Sequence, residues 1–316
     1  LFNSFSLLTT HVLRHWRWLA VALFWSCTVY GSQQEPLHIK LPIAPSDAVY
    51  SEHDVYHKAV IRLILEKTGR PFTITPISIP ALPASRVARY LDSNLFNIVA
   101  IHTDAQKERE LRPIRYPVYR GLSGWRLLLI RSDAQSRFAN IRTLPQLESL
   151  VAGMGNDWPD TLTLQDAGFT VQTAPHRDNL LKMLDHGRID FFPRGIYEIW
   201  SELPSAEASG LVMEQTLALR YPTAFYFYVS RTNEELAQLL ERGFEKAIAD
   251  GSFQELFFRT YGEPILKANL ADRRILKVPN KHLPPQTPLS DKRLWFSPGE
   301  LSDAKVRNGR AAQVQK

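Results

Sequence analysis

The feature that most constrains this chain is an alternation: short apolar runs of strand character recur between amphipathic helical stretches, in two separate sets. In the first set, residues 38–43 read as a strand. Ser51 and Asp54 then resemble a capping box that opens a helix with the apolar stripe Tyr56, Ala59, Val60, Leu63 and Ile64. Gly69 and Pro71 stop that helix, and residues 72–77 form the next strand. A short helix is expected near 85–91 and a strand at 96–101. Such a βαβαβ order implies an open, mainly parallel sheet.

The second set starts near Asn140. Thr143 caps a short helix running to Leu150, and residues 151–154 are strand. Residues 159–167 form a helix closed by Gly168, 169–173 a strand, 178–186 a helix closed by Gly187, and 189–192 a strand. Two apolar stretches, 125–130 and 225–229, bracket this set and have the look of paired hinge crossings. Beyond them Thr232 and Glu235 form a capping box before the stripe Leu236, Leu239, Leu240, Phe244, Ala247 and Ile248, stopped at Gly251. Ser252 with Glu255 opens a last helix carrying Phe253, Leu256 and Phe257, expected to end at Gly262. From Leu283 the composition turns to proline and polar residues, and about the last fifteen residues are expected to be poorly ordered. No repeat of fixed period is present, which removes solenoids and propellers.

The first thirty residues differ from the rest. Arg14, His15 and Arg17 precede an acid-free apolar run, 18–30, too short for an ordinary span, and small residues at 29 and 31 suit cleavage after Gly31. A retained N-terminal anchor is the competing reading of the same run. The single cysteine, Cys27, lies inside this leader behind a poor lipobox, so the mature chain has neither a disulfide nor a thiol nucleophile. The formal net charge of +6 is mild, and losing Arg14 and Arg17 lowers it by two. Its basic residues are spread without an aromatic stripe, which argues against nucleic-acid binding. Nine histidines include no HExxH, and the one close pair, His53 and His57, lacks a third ligand and reads as solvent-facing. There is no GxSxG, P-loop or GxGxxG, and no cofactor is expected.

Three passages carry a resemblance. RYPVYRGLSGWRLLLI (115–130) resembles a proline–tyrosine passage leading into a hinge strand. LESLVAGMGNDWPDT (147–161) resembles a helix, strand and glycine-rich turn, and LLKMLDHGRIDFF (180–192) a helix-Gly-Arg-x-Asp-strand passage. Together they make residues 37–262 similar to the family 3 extracellular solute-binding proteins, the polar amino-acid type of periplasmic receptor. The resemblance implies an α/β, two-lobe periplasmic-binding-protein fold: two open mixed sheets flanked by helices and joined by two hinge crossings. Its expected organisation is a signal peptide at 1–31, lobe one from 36–124 plus 230–280, lobe two from 125–229 with both hinge strands, and an extended tail at 283–316.

The same resemblance nominates site residues. A lobe-one arginine about ten residues before Tyr119 holds the solute carboxylate in such receptors, which points to Arg109, whose fork can grip a carboxylate bidentately. The acid that holds the solute's amino group should stand at 195, but this chain has Gly195 there, with Glu198 as the substitute one turn on. The turn at 153–160 carries Asp157, expected to cap the helix at Pro159, and Trp158, placed to stack on a solute or to pack. Arg194, Arg120 and Arg126 add positive charge, and Ser46 and Tyr50 follow the first strand. A small anionic or amino-acid-like solute is therefore expected, delivered by a monomer to an ABC permease. A membrane sensor protein is the alternative partner. An enzyme of the dehydratase kind, with Glu198 as general base, is the reading from another class.

Overall fold

The computed structural model of the protein describes residues 35–43, 51–79 and 86–302. The expected leader with Cys27, the two loop residues Ser46 and Tyr50, and the last residues from 303 lie outside the described residues.

In chain order the first half contains β1 (Leu37–Ile43), α1 (Ser51–Thr68), β2 (Phe72–Ser78), α2 (Val87–Asp92), β3 (Val99–His102), α3 (Ala105–Glu110) and β4 (Leu111–Ile114). β1 and β2 pair in parallel, with Leu37 opposite Phe72. Asn97 couples β1 to the approach of β3. Its amide side chain accepts from Lys40 N at 2.9 Å and donates to His38 O at 2.7 Å, while its backbone N donates to Lys40 O at 3.1 Å. One side chain thus does what a regular ladder would do, satisfying backbone groups that burial would otherwise orphan. The buried face of α1 is Tyr56, Val60, Ile61, Ile64 and Leu65, turned slightly from the expected stripe, with Ala59 and Leu63 at its margin.

The second half contains β5 (Trp125–Arg131), α4 (Gln135–Ala139), α5 (Leu144–Glu148), β6 (Val151–Gly155), α6 (Pro159–Asp166), β7 (Thr170–Ala174), α7 (Arg177–Asp185), β8 (Phe192–Gly195), α8 (Ile199–Glu207), β9 (Leu211–Met213) and β10 (Leu217–Arg220). β6 and β7 are parallel, and β6 joins β8 through a parallel bridge between Ala152 and Phe191. β5 runs antiparallel to β8, β9 and β10. The sheets are therefore mixed, not mainly parallel, because each hinge strand enters against the direction of its neighbours. The strand expected at 189–192 is shifted to 192–195.

The chain then returns through β11 (Phe225–Ser230), α9 (Glu234–Ala249) and α10 (Ser252–Ala268), and reaches β12 (Arg274–Lys277). β11 lies between β3 and β4, antiparallel to both, so it belongs with the first half and not with 125–229 as the sequence suggested. β12 pairs in parallel with β10 and so belongs with the second half. Asn233, not Thr232, caps α9, accepting from Leu236 N at 3.2 Å. Gly262 does not end α10. Ile265 and Ala268 are fully buried beyond it, and that burial holds the helix on past a residue costing about 1 kcal/mol in helix propensity.

Two crossings join the halves side by side. Tyr221 N donates to Gly124 O at 3.0 Å, Val118 N to Phe225 O at 2.8 Å, and Thr103 N to Ala224 O at 3.0 Å. The segment from α10 to β12 is a third passage, pinned by the buried Arg273, which donates to Ala268 O at 2.6 Å and Leu217 O at 3.0 Å. Residues 279–302 are packed against the body. Asn280 donates to Pro222 O at 2.9 Å, Phe296 N donates to Arg120 O at 2.7 Å, and Leu294 and Phe296 are buried.

Candidate functional site

Where the second half faces the crossings, burial gathers an ionic network from four elements. Arg126 enters from β5, Asp160 from the first turn of α6, Arg194 from β8, and Glu198 and Glu202 from the start of α8. Arg126 Nε donates to Tyr221 Oη at 2.7 Å, Nη1 to Glu198 at 3.2 Å, and Nη2 to Asp160. Arg194 makes a two-pronged pair with Glu202, both bonds 2.6 Å, and lies 3.3 Å from Glu198. Its guanidinium also lies against both rings of the stacked pair Trp158 and Phe192, 4.8 and 4.9 Å from their centroids. Arg177 reaches Glu202 at 4.0 Å. Every guanidinium in the network thus meets a carboxylate, which offsets the large desolvation cost of burying it.

Glu198 is the centre of this arrangement. Its Oε2 accepts from Gly195 N at 2.9 Å. A Cβ on residue 195 would stand 2.9 Å from that same oxygen, so glycine is what lets the carboxylate fold back there. The Glu198 carboxylate thus stands beside residue 195. Burial pushes the Glu198 carboxyl up, but Arg194, Arg126 and the Gly195 N–H outweigh it and hold the group at about 2. Glu198 is a permanent anion, and as a proton acceptor near neutral pH it is a poor one.

Facing this network is an aromatic wall from the first half. Tyr119 stacks on Tyr197, ring centroids 5.1 Å apart and planes 8° from parallel. Tyr56 stacks behind Tyr119 at 5.6 Å, and Phe225 and Tyr261 meet Tyr119 at 5.0 and 5.8 Å. His53 touches Tyr197 edge-on at 5.2 Å. His57, expected to face solvent, is buried, stacked on Phe225 at 5.3 Å and hydrogen-bonded to Tyr119 Oη at 2.8 Å. Burial lowers its pKa, with Asp54 opposing, so the imidazole is neutral. Burial likewise raises Tyr119 and Tyr197, which keep their protons.

The structure brings together Arg126, Trp158, Arg194 and Glu198 of the expected set. Arg109 stands apart: it is exposed at the end of α3, and its backbone carbonyl accepts from Arg231. The neighbouring Glu108 turns inward, accepting from Thr103 Oγ1 at 2.9 Å and Arg115 at 2.7 Å. Asp157 is exposed and does not cap α6. The N-cap is Trp158, and Thr161 closes the turn instead, donating to Gly155 O at 2.7 Å. Arg120 serves the C-terminal segment, bonded to Glu300 at 3.0 Å and to Arg293 O at 3.2 Å. Sequence reasoning missed Asp160, Glu202, Tyr119 as a ring, and Tyr197. The four-residue spacing of Glu198 and Glu202, which puts two acids on one face at the start of α8, was a usable signal for Glu202. Among the described residues no group of three or more His, Cys, Asp or Glu is placed to hold a metal ion. Among the same residues no helix is long and apolar enough to cross a membrane.

No protein-family model matches the chain, and no curated protein matches it. Solved structures do. The probable amino-acid ABC transporter extracellular-binding protein ytmK of Bacillus subtilis is 14% identical with a TM-score of 0.55, over 72% of this chain and 99% of that one. An ancestral arginine-binding protein bound to arginine is 13% identical with a TM-score of 0.50, over 71% and 98%. The BvgS VFT2 domain of Bordetella pertussis is 17% identical with a TM-score of 0.50, over 78% and 97%. At such identities the likeness is one of fold.

Proposed function

We propose that this chain, whose fold is that of the two-lobed periplasmic binding proteins, captures a small solute between its lobes outside the cytoplasm and releases it unchanged. Among the described residues lobe one comprises 37–119 with 225–268, and lobe two 125–220 with 274–277. The observation that carries this reading is the direct meeting of side chains from both lobes beside the paired crossings, above all Tyr119 on Tyr197. Two sheets on parallel crossings can rotate as rigid bodies, and the surfaces that meet on closure are where a guest is enclosed. The names of the structural neighbours make an amino-acid-like solute the first class to try. The expected anionic preference finds less support, since Arg126 and Arg194 are matched by carboxylates.

An ABC permease is the proposed recipient, with a membrane sensor as the alternative, because closure serves both uses equally. Catalysis by Glu198 is disfavoured by the two guanidiniums that hold its carboxyl near 2. Thermal melting against a panel of amino acids, organic acids and short peptides tests the proposal. A solute at about a hundred times its Kd stabilises the folded protein by about 2.7 kcal/mol, a rise of several degrees. A panel without any shift, or a bound compound recovered chemically altered, overturns it.

A further inference from the structure

The charges where the halves meet cancel among themselves, and the partly exposed rings there are His53, Trp158, Tyr197 and Phe225. Arg126 meets Asp160 and Glu198, and Arg194 meets Glu198 and Glu202, so a charged solute would have to break a buried pair to gain one. The opposite wall is Tyr119 backed by Tyr56 and Phe225, with a neutral His57 bonded to its hydroxyl.

Among the described residues Tyr197 is the one ring that lobe two contributes to this wall's stacking face. It is only half-buried, it stands in the short turn between β8 and α8, and it lies almost parallel to Tyr119 with His53 and Tyr261 against its edge. Turning Tyr197 aside gives up its ring contacts with Tyr119, His53 and Tyr261, which an incoming aromatic ring can replace, whereas Tyr119 behind it is fixed by packing and by its hydrogen bond. The space that Tyr197 fills is by construction the size of one phenol ring.

We infer that the cleft takes a single-ring aromatic solute without net charge, which seats on the Tyr119 face that the Tyr197 ring covers; this rests on the solute-capture reading above. Tyr197 acts as an internal competitor that swings aside when the solute enters. It sets the size of the guest to one ring, and the neutralised arginines set its charge.

Isothermal titration of the folded protein with p-cresol and L-tyrosine as uncharged and zwitterionic aromatic probes, and with L-arginine, L-glutamate and succinate as non-aromatic probes, tests this. Tyr197→Ala removes the competitor and is expected to tighten aromatic binding about three- to tenfold, the worth of one stacked pair. Tyr119→Ala is expected to weaken it at least about tenfold. Because Tyr119 is buried, His53→Ala in the Tyr197→Ala background gives a second readout through a gentler change: with no competitor sharing the edge contact, a loss of about threefold is expected. Tighter binding of arginine, glutamate or succinate than of either aromatic probe, unaltered by Tyr197→Ala, overturns the inferred class while leaving solute capture standing. Aromatic binding indifferent to both Tyr197→Ala and His53→Ala overturns the inferred seat. Binding of no probe and of no panel compound overturns both readings together.

Discussion

Replacing Glu202 by Gln keeps the shape of the side chain and removes its charge, which isolates the electrostatic worth of the buried network. The carboxylate and the Arg194 side chain are 1% and 2% exposed and share two bonds of 2.6 Å. Breaking a buried pair from one side typically costs about 3–5 kcal/mol, because the partner charge is left behind without compensation. Here Arg194 keeps Glu198 at 3.3 Å and its stacking on Trp158, so the lower end, about 3 kcal/mol, is expected. Arg194→Met strands Glu202 with only Arg177 at 4.0 Å and should cost as much or more. The double variant Arg194→Met with Glu202→Gln removes both charges and should be less destabilised than the two single changes combined by about 2 kcal/mol. Equilibrium urea unfolding of all four proteins reads these values, with an unchanged slope as the sign that compactness is preserved. A Glu202→Gln protein within about 0.5 kcal/mol of the parent, or strict additivity in the cycle, would refute the claim that these groups form one coupled unit.

Acidification should weaken the fold in two stages. The folded His57 imidazole has a lowered pKa, so the unfolded chain binds the proton first; its contribution is complete above about 6.5 and is lost as pH falls below that. Glu198, held at about 2 against an ordinary 4.5, contributes fully above 4.5 and loses its contribution between those values. Urea midpoints at about pH 7.5, 5.5 and 3 check both stages, and His57→Phe should make the upper one shallower, leaving the share of His102, whose pKa burial also lowers. Phe296→Ala should cost about 3 kcal/mol, because that ring is 2% exposed between Trp125, Phe257 and Phe258; the loss should appear in thermal melting together with faster proteolysis in 279–295. Gly124→Ala places a Cβ 1.9 Å from the Tyr221 carbonyl oxygen, forcing the two crossings apart, and should lower the melting temperature by several degrees through about 2 kcal/mol or more of overpacking.

Much of the fold was legible because it follows local periodicity. The face of α9 that packs is the stripe Leu236, Leu239, Leu240, Phe244 and Ala247 read from spacing alone. What periodicity cannot reveal is the partner of an apolar strand. The run at 225–229 would suit either sheet, and only the tertiary arrangement gives it to β3 and β4. The stretch from Leu283 looked like a tail since proline and polar residues dominate it, and in its described part, 283–302, the buried apolar anchors Leu294 and Phe296 are too few to make a pattern. In the site, Arg126, Arg194, Trp158 and Glu198 were named for a solute, yet they serve one another first. A sequence shows which residues carry charge but not which charges cancel. Asp160 escaped notice because an acid in the first turn of a helix already has a local explanation in the helix dipole.

The central claim, that two lobes close on a guest, is tested most directly by the distance between them. Spin labels at Val55→Cys on α1 and Leu162→Cys on α6, both at exposed positions in a mature chain otherwise expected to lack cysteine, report that distance by pulsed electron resonance. The account predicts two populated distances that a solute raising the melting temperature collapses to one. A single distance, unchanged at saturation with that solute, would contradict it.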